Sequence, residues 1–200
     1  MPHPRAIHLV VFDGFADWEP AHALAELRRS GNRTVRTVGF TDAPVESMGG
    51  LRIAPDMPLG AVRPADVELL LLPGGDLWEA GDYPRRELEK LIKALVVEST
   101  PIAAICAGTL ALGRAGVLDH RSHTSNMPGY LAEHASEYRG GSRYVAAPAV
   151  RDAGIITASG LAPVDFARAI FAELGIFSAA DESAWYEMFK SGTLPPSATA

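Results

Sequence analysis

The chain of 200 residues contains a single cysteine, Cys106, whose sulfur is the strongest candidate nucleophile in the sequence. An apolar, β-prone run at 102–105 precedes it, and the small residues Ala107 and Gly108 follow, a pattern typical of a sharp strand-to-helix turn. Such a turn holds the thiol over the first free N–H groups of the helix, which favour a thiolate together with the helix dipole. The alternative interpretation is a buried structural cysteine.

The elements that must position this cysteine alternate along the chain. Runs typical of strands lie at 6–12, 33–40, 67–72, 102–105 and 121–124, and two more strands surround a turn within 144–157. Helical signals lie at 17–29, 84–98, 107–115, 127–135, 162–174 and 181–190, and 45–59 is an irregular excursion or hairpin. Strands that alternate with helices predict an α/β fold, a doubly wound, mostly parallel sheet flanked by helices.

Three segments should meet at one edge of this sheet. Ligands bind beyond the carboxyl ends of the central strands in folds of this class. Residues 13–19 follow the first predicted strand, residues 73–78 follow the third, and Cys106 follows the fourth. This convergence favours a functional cysteine over a structural one.

Composition narrows the class of protein. The chain is 48% hydrophobic and 21% charged, which is typical of a globular domain, and we expect one domain over 1–190 with a disordered tail over 191–200. A net charge of −6 without a basic cluster argues against nucleic acid or a membrane surface as partner. One cysteine excludes an internal disulfide, and we see neither a signal-peptide pattern nor a long apolar run. We therefore expect a cytoplasmic protein.

Four motifs carry a resemblance to a known family. They are Asp13-Gly14-x-x-x-x-Glu19, Leu72-Pro73-Gly74-Gly75, the run from Ala103 to Gly108, and Ile156-Thr157-Ala158-Ser159-Gly160-x-x-x-x-Asp165. In this order they resemble the DJ-1/PfpI superfamily, a branch of the class I glutamine amidotransferase-like fold. The likeness extends to a bacterial group labelled only as glutamine amidotransferase-like. It implies a flavodoxin-like sandwich with a cysteine nucleophile elbow, and a homodimer.

The resemblance also implies roles for individual residues. Cys106 would be the nucleophile, and Glu19 a protonated partner beside its sulfur. The backbone N–H groups of Gly75 and Ala107 would form an oxyanion hole, with Gly74 allowing a close approach of the backbone. A carboxyl beside an anionic sulfur in a partly desolvated cleft should have a raised pKa. Without the family, an ordinary helix-terminal carboxylate and a plain glycine turn are the simpler interpretations.

The chain departs from the family at its histidine. Ala107 directly follows the cysteine and excludes a Cys-His pair, and Asn126 aligns with the histidine that other members carry on the next strand. Asparagine can orient a ligand but cannot act as a base near neutral pH. His123 points to the opposite face of a regular strand and serves only if the backbone bends. The last histidine is His134, so no downstream His-x-Glu segment exists, and we do not expect glutamine hydrolysis.

Two tryptophans flank the predicted pocket in the sequence. Trp18 and Trp78 are either aromatic pocket walls or core residues at the ends of elements. We see no motif for a metal, a phosphate-binding loop or a dinucleotide, so we expect neither a metal nor an organic cofactor. The expected partner is a small-molecule substrate.

Three hypotheses for function follow. The favoured one is an enzyme in which Cys106 attacks a small electrophile and Glu19 moves the proton, as a hydrolase, a hydratase or a glyoxalase/deglycase-like enzyme. The second is an oxidative-stress sensor that forms a sulfinate at Cys106. The third is a degenerate, non-catalytic binding domain, for which Asn126 is the best argument.

Overall fold

A computed structural model of the chain describes residues 5–194. Its strands are β1 (Ala6–Val11), β2 (Val35–Gly39), β3 (Val45–Glu46), β4 (Arg52–Ile53), β5 (Met57–Pro58), β6 (Val67–Leu72), β7 (Ile102–Ile105), β8 (Ala149–Asp152) and β9 (Ile155–Ala158). Its α-helices are α1 (Trp18–Arg29), α2 (Leu77–Ala80), α3 (Arg85–Val97), α4 (Thr109–Arg114), α5 (Tyr130–His134), α6 (Pro163–Leu174) and α7 (Ala179–Ser191). Short 3-10 turns lie at 59–61, 64–66, 106–108 and 141–143.

Seven strands form one sheet in the order β5-β2-β1-β6-β7-β9-β8. The neighbouring strands run parallel except for the last pair, β8 and β9, which is antiparallel. β1 and β7 are buried along their whole length, which explains why both are rich in apolar residues, with His8 the one polar side chain in β1. The prediction of a mostly parallel, doubly wound sheet is confirmed.

The helices cover both faces of the sheet. The crossover from β1 through α1 reaches β2 on one side, whereas the crossover from β6 through α3 reaches β7 on the other. Because such crossovers are right-handed, α1 and α3 lie on opposite faces. α6 packs on α1 and on α7, while α4 packs on α3 and on α5. The sheet is thus the middle layer of a sandwich, and its carboxyl edge stays open between the two helical layers.

Some predicted elements differ from the structure. The strand predicted at 121–124 is reduced to an isolated bridge between His123 and Tyr144, because the backbone bends there. The helix predicted at 127–135 is shortened to α5, which begins after a left-handed glycine at Gly129. Of the predicted tail, residues 195–200 lie outside the described residues. Over 5–194, no helix combines the length and the apolar character that a membrane span requires.

The two tryptophans differ sharply in burial, and this difference predicts their effect on stability. Trp78 is 0% exposed, its ring lies 5.1 Å from that of Phe12, and its Nε1 donates to the Pro73 carbonyl at 2.7 Å. We expect W78A to lower the free energy of unfolding by about 3–5 kcal/mol. Trp18 is 50% exposed, so W18A should change it by less than about 0.5 kcal/mol. Urea unfolding of both variants measures this; equal losses would contradict the core assignment of Trp78.

Candidate active site

Cys106 occupies a strained turn directly after β7. Its backbone adopts the left-handed conformation with φ = 57°, and the 3-10 turn 106–108 then leads into α4. A non-glycine residue in this region costs about 1–2 kcal/mol, so the surrounding structure must hold it there. The result is a half-buried thiol that projects from a tight strand-to-helix turn at the carboxyl edge of the sheet.

Glu19 comes to the same place from the first turn of α1. Its side chain is 1% exposed, and its Oε2 accepts a hydrogen bond from the Gly74 N–H at 2.5 Å. The carboxyl lies beside the Cys106 thiol, since a Cβ added at Gly160 would lie 2.8 Å from Cys106 Sγ and 3.1 Å from Glu19 Oε1. Segments after β1, β6 and β7 therefore converge, as the topology of a parallel sheet requires.

Two glycines allow this pair to be enclosed. A Cβ added at Gly74 would lie 2.8 Å from both Cys106 Cβ and Glu19 Oε2. A Cβ added at Gly160 would lie 2.8 Å from Cys106 Sγ. Gly74 follows β6 and Gly160 follows β9, on either side of β7, so backbone closes on the pair from both directions.

Asn126 supplies a donor to the sulfur. Its Nδ2 lies 3.4 Å from Cys106 Sγ, and its Oδ1 accepts from the Gly160 N–H at 3.1 Å. The second hydrogen bond fixes which end of the amide faces the sulfur. Asn126 therefore stabilises negative charge on the sulfur but takes no proton from it.

Sequence reasoning missed a polar pair behind Asn126. The Tyr130 hydroxyl donates to Glu79 Oε1 at 2.7 Å, and it lies beside the Asn126 amide. Burial and the Glu79 carboxylate raise the pKa of Tyr130. A polar chain thus runs from Glu79 through Tyr130 and Asn126 to the sulfur. Tyr130 and Glu79 lie 51 positions apart, and no local sequence pattern predicts their pairing.

The two backbone N–H groups expected to form an oxyanion hole, those of Ala107 and Gly75, have different hydrogen-bond partners. The Ala107 N–H hydrogen-bonds to the Cys106 sulfur. The Gly75 carbonyl accepts from the Trp78 N–H at 3.3 Å, and within residues 5–194 the Gly75 N–H donates to no acceptor. Gly75 therefore has an unused backbone donor within the described residues, one position after the Gly74 that packs on Cys106.

Other sequence-predicted residues lie apart from the sulfur. His123 is fully buried; its Nδ1 donates to the Arg121 carbonyl at 2.7 Å, and its Nε2 accepts from the Tyr138 hydroxyl at 2.6 Å. Neither ring nitrogen is free for Cys106, and burial lowers the pKa of His123. Trp78 lies in the core, whereas Trp18 is exposed next to Glu19 in the sequence. Among residues 5–194, no three His, Cys, Asp or Glu side chains form a group suited to a metal ion.

Burial raises the pKa of both Glu19 and Cys106. It raises the pKa of Glu19, although the hydrogen bonds from Gly74 and Cys106 oppose the rise. Burial and the Glu19 charge raise the pKa of Cys106 to about 11, against the donors Asn126 and Ala107. Desolvation and the charge of Glu19 thus oppose the thiolate that the helix start favours. The raised pKa expected for Glu19 agrees with the structure.

The charge on Glu19 gives a pH prediction. In E19Q no carboxylate opposes ionisation of the thiol, so the pKa of Cys106 should fall below about 11. The pH profile of Cys106 alkylation by iodoacetamide should then have its midpoint at lower pH than in the wild type. Stopped alkylation reactions analysed by intact mass measure the profile.

A second carboxylate on the same helix provides the control. Glu26 is also buried, but it binds Arg29 and Ser30 instead of the cysteine. E26Q should leave the alkylation midpoint unchanged. If the midpoint instead moves to higher pH in E19Q, Glu19 is a proton donor to the thiolate in the wild type. That result would contradict the assignment of Glu19 as a carboxylate that opposes ionisation of the thiol.

The fold and the cysteine turn define an α/β sandwich with a nucleophile elbow at its carboxyl edge. The sequence profile of the DJ-1/PfpI family matches residues 5–173, and the chain belongs to this family. Superposition on the crystal structure of the DJ-1 superfamily protein Atu0886 from Agrobacterium tumefaciens gives a TM-score of 0.86 at 35% identity, covering 94% of this chain and 100% of that one.

Similar sequences include proteins named for enzymatic activities. The chain is 36% identical over 194 residues to YoaZ of Bacillus subtilis, described as an uncharacterized protease, covering 94% of this chain and 91% of that protein. It is 29% identical to a protein named Deglycase TK1284 from Thermococcus kodakarensis, over 58% of this chain and 68% of that one.

Proposed function

We propose that this protein is a cysteine-dependent enzyme that acts on a small electrophilic carbonyl compound. The observation that carries the proposal is the contact of the Cys106 thiol with the Glu19 carboxyl at a strained turn. A structural cysteine needs neither a strained backbone nor a buried acid beside it. The relatives named protease and deglycase support an enzyme of the cysteine type.

The first step follows from the contacts of the sulfur. The thiol proton passes to Glu19 as the sulfur attacks the carbonyl carbon, so a C–S bond forms and the C=O π bond breaks. The oxygen takes the electron pair, and the N–H groups of Gly75 and Ala107 hold it. Glu19 then returns its proton to this oxygen, which leaves a neutral adduct. The raised pKa of Glu19 suits a group that must accept and release a proton.

Hydrolase and glyoxalase/deglycase-like reactions on a carbonyl compound share such an adduct, and the deglycase relative favours the second class. With a 2-oxoaldehyde, the hydrogen on the former aldehyde carbon moves as a proton to the neighbouring carbon. The aldehyde carbon is thereby oxidised to a thioester and the ketone is reduced to an alcohol. Water then cleaves the thioester, releasing the thiol and a 2-hydroxy acid. Glu19 is the side chain in contact with the sulfur that can carry the proton.

Methylglyoxal is the simplest substrate for a test. We expect the wild-type protein to convert it to lactate, and C106S to lose at least about 10³-fold in rate, because serine at this site has no activating base of sufficient strength. Lactate formation is measured by chromatography, with thermal unfolding as a check that C106S is folded. Absence of turnover in the wild type, or equal turnover in C106S, would exclude the glyoxalase reaction.

Sensing through oxidation is the second candidate, and the partial exposure of Cys106 favours it. With no second cysteine in the chain, oxidation cannot end in an internal disulfide. Two peroxide molecules would each give one oxygen to the sulfur and leave as water, forming a sulfinate. After mild peroxide treatment, intact mass should show two added oxygen atoms in the wild type and none at this position in C106S. A wild-type mass without both oxygens would exclude the sensor.

A further inference from the structure

A groove opens beside the cysteine turn. Its volume is about 400 Å³, within the range of sites for small organic ligands. It is lined by residues 124–128, 144, 146–148, 159, 161, 162 and 190. Apolar side chains dominate the walls, and two of them are strongly exposed, Met127 at 59% and Leu161 at 94%. Exposed apolar walls of this kind gain free energy when a ligand covers them.

The groove is continuous with the surroundings of the sulfur. Asn126, which lines the groove, donates to Cys106 Sγ. Ser159 and Leu161 also line it, and a Cβ added at Gly160 between them would lie 2.8 Å from the sulfur. The groove therefore begins at the side chain that donates to the sulfur, and a molecule bonded to the sulfur meets the groove there.

Sheet order decides which part of a bound carbonyl compound faces the groove. Gly75 follows β6 and lies on one side of the cysteine strand, whereas Gly160 follows β9 on the other. An oxygen held by Gly75 and Ala107 points toward the β6 side. The remaining substituent on the carbonyl carbon then points toward Asn126 and the groove.

The charges in the groove give no attraction for an anionic substituent. Lys190 is the charged residue in the described lining, and its Nζ lies 2.6 Å from Asp165 Oδ2. Asp165 also accepts from the Tyr186 hydroxyl at 2.8 Å. The ammonium is therefore already compensated, and a carboxylate or phosphate would find no free cation among these side chains.

We propose that this groove binds a neutral, apolar substituent of the electrophile that reacts with Cys106. The preferred substrate is then a carbonyl compound with an aryl or alkyl group, and methylglyoxal is only its smallest analogue. The inference rests on the proposed function and specifies its substrate class.

Two alkylating probes test the groove without requiring turnover. Iodoacetamide and N-benzyl-iodoacetamide deliver the same reactive carbon to Cys106, but only the second carries an apolar ring. Relative to the ratio of the two rates on free glutathione, the wild-type protein should favour the benzyl probe by at least about tenfold, because the ring is removed from water in the groove. Intact mass gives both rates, and their ratio cancels any change in the reactivity of the sulfur.

Three variants test whether the preference for the benzyl probe arises in the groove. A146W fills the groove from an exposed position and should reduce the preference to within about twofold of glutathione. L161A removes an almost fully exposed wall and should reduce the preference partially, with little risk to folding. A43W makes the same change as A146W at an exposed site outside the groove and should leave both rates as in the wild type.

The outcomes separate this inference from the proposed function. A reactive Cys106 without a benzyl preference would overturn the groove proposal and leave the proposed enzyme intact. A preference that survives both A146W and L161A would also overturn it. If A146W turns a dimer into a monomer in size-exclusion chromatography without changing the ratio, the groove binds a second copy of the chain and not the substrate.

Discussion

The contact between two acids, the half-buried Cys106 thiol and the buried Glu19 carboxyl, is the interaction on which the rest of the site depends. Away from water, such a pair tolerates one negative charge but strongly resists a second. That one charge needs hydrogen-bond donors, which Gly74, Asn126 and Ala107 provide. The close glycine backbone leaves little room for water between the partners. The pair is therefore suited to moving a proton internally when a substrate arrives.

Four neighbouring strands each contribute one part of this arrangement. Glu19 follows β1, Gly74 follows β6, Cys106 follows β7 and Gly160 follows β9. These strands are adjacent and parallel, so their carboxyl ends form a single edge and their connections meet there. The register of the sheet thus fixes the distances between groups that are far apart in the chain. The position of each group depends on packing in the core more than on its own loop.

The sequence predicts those features of the fold that depend on residues close together in the chain. The apolar runs of β1, β6 and β7 end at turn residues, and this pattern predicts Glu19 and Cys106 at one edge of the sheet. The bend at His123 was not predictable, because a single bridge to Tyr144 replaces a regular strand. The Tyr130–Glu79 pair depends on tertiary packing. The direction of the thiol pKa depends on burial, which neighbouring residues in the sequence do not reveal.

At position 106, the left-handed backbone makes the residue that stability favours different from the residue that the proposed chemistry requires. Glycine is the residue that adopts this conformation without a steric penalty, so a chain selected only for stability would carry glycine at position 106. The sulfur is thus present at a position where any side chain costs backbone strain. A search for the most stable sequence on this backbone would favour glycine there and remove the nucleophile, so design from this scaffold must hold position 106 fixed.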